Sequence, residues 1–345
     1  MQRCLELAVK GAGFVAPNPM VGAVLVYKDR IIGEGWHQKF GEAHAEVNCI
    51  ASVKEKDKEL ISQSAMYVSL EPCAHFGKTP PCADLIIKNK IPKVIIGCRD
   101  PFKEVNGKGI EKLKEAGVEV ELADRLLEYA CRNLNKRFFT FHSAQRPYII
   151  LKWAQTSDRK IASGSRERLL ISNEYTNRLV HKWRSEEAAI LIGTNTALSD
   201  NPELTTRLWK GPSPIRMVID MDLKLPSSLK IFNREAKTII FNSMKQEEQD
   251  NLIYYKLKKS STLIPQLLNA LFQLKIQSVI VEGGAKLLQS FIDEGLWDEM
   301  RVINNYQLTV ENGLDAPKPE NAVLVEAQEL YTDIIETFVP VAPEY

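Results

Sequence analysis

The sequence lacks any sustained charge imbalance. It holds 45 Lys and Arg against 44 Asp and Glu, a formal charge of +1. A chain so balanced carries no global basic field, which argues against a nucleic-acid surface and leaves room only for local basic patches that hold small phosphorylated ligands. It also lacks an apolar run of roughly 18 residues, so no membrane-spanning helix and no membrane partner are expected. The start, Met1-Gln2-Arg3-Cys4-Leu5-Glu6, places an acid early and no long apolar run after it, unlike a secretory leader. Cysteine is sparse. Six of 345 residues (4, 49, 73, 82, 98 and 131) are too few for a disulfide scaffold, so a reducing cytoplasm is the expected location. Neither internal repeats nor low-complexity tracts are found. An apolar fraction of 44% excludes wholesale disorder, and the length suggests two domains of roughly 150 residues or more.

What is present is an alternation of short apolar runs with helical patterns. Residues 21–27 form a strand, Lys28-Asp29-Arg30 turns it, and 31–35 return as a hairpin. Further strands are expected at 65–69, 93–97 and 118–120, with helices near 45–55, 81–89 and 107–116. One more helix is read over 122–139, from Leu122, Leu126, Tyr129, Ala130, Leu134 and Phe138. The polar stretch 141–147 ends in Pro147 and marks a domain boundary, giving domains at 1–142 and 147–345. The second half restarts with a strand at 147–152. Ser172 is read as the cap of a helix over 173–185, with Tyr175, Leu179 and Trp183 on one face. The runs at 188–193, 215–220, 237–241 and 278–281 are continuously apolar, so these strands should be covered on both faces. The fold class is therefore α/β in both halves.

Three residues of the first half have the chemistry of a metal site. His44, Cys73 and Cys82 offer one imidazole and two thiolates, donors that zinc prefers, and leave a fourth position for water. An open site of this kind is catalytic, because zinc lowers the pKa of its water from about 15.7 towards 7. Glu46, two residues beyond His44, is the natural proton shuttle. The pattern is close to the zinc-deaminase signature His-x-Glu followed by Pro-Cys-x-x-Cys, except that Ala74 to Pro81 separate the cysteines instead of two residues. Cys4, Cys49, Cys98 and Cys131 have no such context and are read as core or incidental.

Several stretches carry a resemblance. Ala16-Pro17-Asn18-Pro19-Met20-Val21-Gly22, Gly33-Glu34-Gly35-Trp36-His37, His44-Ala45-Glu46 and the run from Ser69 through Cys82 resemble the bifunctional riboflavin-biosynthesis deaminase/reductase family, whose long inter-cysteine loop this chain shares. Asp100-Pro101 and Val105-Asn106-Gly107-Lys108-Gly109 continue the match. The resemblance implies a cytidine-deaminase-like three-layer domain followed by a dihydrofolate-reductase-like domain. It implies two reactions: hydrolysis of the 2-amino group of a diamino-hydroxy-pyrimidine carrying phosphoribosylamine, then NADPH reduction of the ribosyl group to a ribityl chain. By position, Asn18, His37, His75, Lys78 and Asp100 would line the first pocket, with Lys78 placed for the phosphate. Asn18 has a second reading as a turn former between two prolines, and Lys78 as a solvated loop cation.

The second half is hard to read from its residues alone. No Gly-x-Gly-x-x-Gly follows its first strand, so a Rossmann site has no support. The best local signal is Glu282-Gly283-Gly284-Ala285-Lys286-Leu287, where a strand ends and a helix begins, and free N–H groups there suit a phosphate. The resemblance supplies context through Leu151-Lys152-Trp153-Ala154 and Gly193 to Arg207. It implies NADPH contacts from Ala154, Leu170, Thr196, Asp200, Gly284, Ala285, Lys286 and Leu287, and substrate contacts from Arg168, Arg184, Leu204, Arg207 and Glu282. Arginines suit phosphate because a guanidinium pairs bidentately with its oxygens; Arg184 has a second reading as part of a solvated helix face, and Leu204 as a core residue. Two features depart from the family. Arg159 stands where a glycine is usual, and Leu170-Ile171-Ser172 replaces a stretch that begins with tryptophan, while Arg168 stands where serine is common. The expected partners are the phosphorylated pyrimidine and further copies of the chain. Two rivals remain at this stage: a deaminase of another nucleoside or RNA base with a weakened reductase, and a zinc-stabilised scaffold without turnover.

Overall fold

The computed structural model describes residues 1–76, 80–164, 169–259 and 262–341, so Lys78 and Arg168 lie outside the described residues. The chain forms two compact units, Met1–Gln145 and Arg146–Tyr345.

In unit 1 the elements run α1 (Gln2–Ala8), β1 (Gly22–Tyr27), β2 (Arg30–Trp36), α2 (Ala45–Ala51), β3 (Ala65–Val68), α3 (Cys82–Lys88), β4 (Lys93–Ile96), α4 (Lys108–Glu115), β5 (Glu119–Leu122), α5 (Arg125–Leu134) and α6 (Lys136–Ala144). The sheet order is β2-β1-β3-β4-β5. The expected hairpin is antiparallel, and β3, β4 and β5 run parallel. Successive strand residues point to opposite faces. Ala23, Leu25, Met66, Val68, Val94 and Ile96 pack on one face with Cys49, Ile86 and Leu113 of the helices α2, α3 and α4. Val24 packs on the other face with Cys4 and Leu7 of α1, and Leu70 and Cys98 pack with Cys131, Phe138 and Phe139 of α5 and α6. The result is three layers with the sheet in the middle.

The single helix expected over 122–139 is two. Leu122 belongs to β5, and the chain breaks at Asn135 between α5 and α6. The Asn135 side chain explains the break, because it accepts from the Met20 N–H at 2.8 Å and donates to the Met20 carbonyl at 2.9 Å. Leu126 and Tyr129, two of the residues on which that helix is read, are exposed.

Unit 2 runs β6 (Tyr148–Thr156), β7 (Lys160–Ser163), α7 (Glu174–Glu186), β8 (Ala189–Gly193), α8 (Thr194–Asp200), β9 (Ile215–Ile219), β10 (Thr238–Asn242), β11 (Glu247–Gln249), β12 (Leu252–Lys256), α9 (Leu263–Gln273), β13 (Ser278–Gly283), α10 (Ala285–Asp293), β14 (Glu299–Asn305), β15 (Gly313–Asp315), β16 (Ala322–Leu330) and β17 (Asp333–Pro340). The large sheet has the order β11-β12-β10-β9-β8-β13-β6-β14-β17-β16, and β12 through β14 run parallel. Its apolar strands are covered on both faces as expected. Leu151, Leu191, Met217 and Val281 meet α9 and α10, and Ile150, Ile190, Val218 and Ile280 meet Val180 and Trp183 of α7. The cap of α7 is Asn173 rather than Ser172: its side chain accepts from the Tyr175 and Thr176 N–H groups. The Arg159 departure is visible in the backbone. Arg159 has φ +59°, so the turn between β6 and β7 keeps a left-handed conformation without the glycine that would adopt it freely.

Close approach places α2 against β2. A Cβ on Gly35 would stand 2.2 Å from the Cys49 nitrogen and 2.6 Å from the Ala45 carbonyl oxygen. Gly35→Val is therefore expected to push α2 away, cost about 1–3 kcal/mol of stability as overpacking does, and shift His44 and Glu46 with the helix. Calorimetric unfolding and metal analysis of the purified variant check both effects.

Candidate active sites in the two units

In unit 1 two strand–helix junctions converge, β2–α2 and β3–α3. His44 is the N-cap of α2 and Glu46 lies in its first turn. Cys82 opens α3 behind Pro81, and Cys73 lies in the loop that leaves β3. The His44 Nδ1 stands 3.4 Å from Cys82 Sγ and 3.7 Å from Cys73 Sγ, and all three donor atoms lie within 4.8 Å of one another. The Cys82 N–H donates to Cys73 Sγ at 3.3 Å, which ties the two cysteines across their long loop. One imidazole nitrogen and two sulfurs at this spacing fit zinc. The two thiols titrate apart. The hydrogen bond with Cys82, and that with His44, holds Cys73 down at about 4, whereas Cys82 is pushed up by the same contact and by burial.

Glu46 is 3% exposed. Burial, and next the negative charge on Cys73, pushes its carboxyl up from the usual range. A carboxyl poised to hold a proton beside the three donors is what a proton shuttle requires.

The expected pocket residues gather in two groups. The first is anchored on His37, which is buried. Its Nδ1 donates to the Ala43 carbonyl at 3.0 Å, so its Nε2 accepts from Asn18 Nδ2 at 3.1 Å. Its ring meets the His44 ring edge-on at 5.4 Å. Burial lowers the pKa of His37 and keeps it neutral. The second group holds His75 and Asp100. The His75 ring lies 6.3 Å from Phe102, and its Nδ1 is buried with no hydrogen-bond partner among the described residues. Asp100 is buried and accepts from the Phe102 N–H at 2.7 Å. Burial raises it to about 7, and the charges of Glu71 and Cys73 add to the rise.

In unit 2 the expected residues collect where parallel strands end. Arg184 of α7 grips Glu282 of β13 through Nε at 2.7 Å and Nη2 at 2.6 Å. The fork therefore meets a carboxylate of the protein, and Glu282 fixes the orientation of the guanidinium. Burial pushes Glu282 up, but the charges of Arg184 and Lys152 and the Arg184 hydrogen bond outweigh it and hold it at about 2. Lys152 Nζ stands 3.9 Å from Glu282 Oε2. Arg207 is exposed, and its Nη1 lies 2.9 Å from Glu203. Its backbone N–H donates to His181 Nδ1 at 2.9 Å. Leu204 is buried in the apolar cluster under α7 and has φ +56°.

The expected cofactor residues divide. Gly284 is the N-cap of α10, and Ala285, Lys286 and Leu287 form its first turn without a side-chain cap. Thr196 of α8 abuts this turn, because a Cβ on Gly283 would stand 2.8 Å from its Cγ2. Uncapped N–H groups of α10 beside a threonine hydroxyl fit a dinucleotide phosphate. Ala154 lies on β6 at half-burial. Asp200 ends α8 in an exposed position, and Leu170 is 74% exposed.

Sequence reasoning missed Lys152, His181 and Glu71. The lysine and the histidine are set beside Arg184 and Arg207 by strand pairing and helix packing. Burial and the Arg184 charge lower His181 to about 4, so it is neutral and can accept. Glu71 carried a signal only as part of the run that ends in Cys73.

Comparison with known proteins follows the same division. The cytidine and deoxycytidylate deaminase zinc-binding region matches residues 1–98, and the RibD C-terminal domain matches 147–305. The riboflavin biosynthesis protein RibD of Aquifex aeolicus is 40% identical over 88% of this chain and 85% of its own length. That of Bacillus amyloliquefaciens is 38% identical over 87% and 82%. The crystal structure of a diaminohydroxyphosphoribosylaminopyrimidine deaminase/5-amino-6-(5-phosphoribosylamino)uracil reductase from Thermotoga maritima superimposes with a TM-score of 0.88 at 35% identity, covering 99% of this chain and 97% of that one. Likeness over both units and nearly the full length of such relatives leaves one conclusion, that the chain belongs to the RibD family of riboflavin biosynthesis proteins.

Proposed function

We propose that the chain catalyses two consecutive steps of riboflavin biosynthesis, deamination of a diamino-pyrimidine ribosyl phosphate in residues 1–142 and NADPH-dependent reduction of its ribosyl group in 147–345. The single observation that carries the reading is the His44–Cys73–Cys82 donor trio with Glu46 buried beside it.

In the deaminase, His44, Cys73 and Cys82 hold zinc, which when bound makes water a nucleophile at neutral pH. Glu46 would carry the two protons of the water in turn, the first to the ring nitrogen and the second to the leaving amine. Its raised pKa suits both halves of that exchange. His37, neutral and locked by Ala43 and Asn18, shapes the pocket wall. Asp100 and His75 present polar atoms to the pyrimidine from the opposite loops, and Lys78 is assigned to the phosphate. A scaffold reading leaves the buried carboxyl of Glu46 without a role.

In the reductase, hydride transfer needs no protein nucleophile, and the protein positions two ligands and excludes water. The α10 turn from Gly284 to Leu287, with Thr196, Ala154, Asp200 and Leu170, is assigned to NADPH. Arg184, held by Glu282, is assigned to the substrate with Arg168, Leu204 and Arg207. The chain is read as cytoplasmic, on its six free cysteines; among the described residues no helix is long and apolar enough to cross a membrane. It is read as a homo-oligomer on its edge strand β16, where Val323, Leu324 and Val325 are each about half exposed and, among the described residues, no strand pairs with the outer side.

Three outcomes are expected. Glu46→Gln keeps zinc at the wild-type ratio and lowers ammonia release by about 10²–10⁴-fold, as loss of a general acid–base does; metal analysis with a coupled ammonia assay checks it, and undiminished release would remove Glu46 from its role. Arg184→Lys keeps the charge but loses the fork, so reductase kcat/KM, followed by nicotinamide absorbance, drops by about tenfold or more while deamination is unchanged. Leu324→Lys on β16 lowers the mass seen by light scattering towards that of one chain.

A further inference from the structure

Glu71 is 4% exposed and stands two residues before Cys73. Its carboxylate collects backbone N–H groups from one remote loop. Oε2 accepts from Asp100 at 3.2 Å and Gly107 at 2.9 Å, and Oε1 accepts from Gly109 at 3.0 Å and Ile110 at 3.3 Å. Its own N–H donates to the Cys98 carbonyl at 3.0 Å. Gly109 and Ile110 lie in the first turn of α4, whose N-cap, Gly107, has no side chain to satisfy them. Glu71 therefore caps α4 from elsewhere in the chain, where an anion is favoured by the helix dipole.

The same carboxylate joins two loops with separate duties. One carries Cys73, a ligand of the donor trio. The other carries Asp100, assigned to the substrate. The approach is tight: a Cβ on Gly109 would stand 2.0 Å from the Pro72 carbonyl oxygen. Oxygens that accept from four amides leave no freedom for either loop to slide against the other, because a buried N–H deprived of its acceptor is costly. We propose that Glu71 is a positioning residue for deamination, setting the Asp100 loop at a fixed distance from the Cys73 loop and so placing the pyrimidine over the donor trio. The inference rests on the deaminase reading.

The test compares the full-length wild-type chain with Glu71→Gln, which keeps the shape but turns an NH2 group towards two of the backbone donors. Zinc content, ammonia release and reduction of the deaminated intermediate are measured together, with amide hydrogen exchange of residues 98–110. The expected result is a deaminase KM raised about tenfold or more, as misplacement of a substrate contact produces, with a smaller change in kcat, wild-type zinc, unchanged reduction and faster exchange confined to 98–110. Unchanged KM overturns the proposal. So does a loss of zinc together with exchange spread over the whole unit, which makes Glu71 a support of the fold alone. Unchanged exchange in 98–110 overturns it as well, and that readout needs no activity. A wild-type chain that binds zinc but releases no ammonia overturns the deaminase reading, and with it the role of Glu71 in catalysis.

Discussion

Parallel strands deliver successive chain segments to one edge of a sheet, and helices start from that same edge. Both candidate sites follow from this constraint. In unit 1 the loops after β3 and β4 bring Cys73 and Asp100 to the edge where α2 and α3 begin with His44 and Cys82. In unit 2 Glu282 near the end of β13 stands beside Lys152 of β6, and Thr196 of α8 lies at the edge where α8 and α10 begin after β8 and β13. Helix starts expose N–H groups, and strand ends release side chains from the ladder, so the chemistry collects there.

The two buried carboxylates at these edges show how environment assigns a role. Glu46 has burial and the neighbouring Cys73 charge against its ionised form, and both push its carboxyl up from the usual range. The Glu282 side chain, 7% exposed, faces Arg184 and Lys152, and it stays charged. The first suits proton transfer. The second suits holding a guanidinium still, and removing one partner would strand a buried charge.

The fold was legible wherever one feature repeated along the chain. The continuous apolar runs of β8, β9, β10 and β13 gave strands buried on both faces, and the hairpin β1–β2 was read from its turn. The helix over 122–139 was misread because a long-range bond, Asn135 to Met20, outweighs a local period. The C-terminal strands β14, β16 and β17 escaped reading because charged Glu299 and Arg301 lie buried within β14 and bond each other, and because exposed apolar residues line β16.

The donor trio His44, Cys73 and Cys82, with Glu46 as candidate shuttle, could be singled out in the sequence because ligand chemistry restricts residue type, and few residue types bind zinc. The sequence also determined the two-domain order and, at Arg159, a departure that the structure accommodates at φ +59°. Only the tertiary structure decided that Glu282 orients Arg184, that Leu204 is packed in the core, and that Glu71 gathers four amides from a remote loop and the first turn of α4. Those facts depend on distances between segments far apart in the chain, and no local pattern of residues encodes a distance.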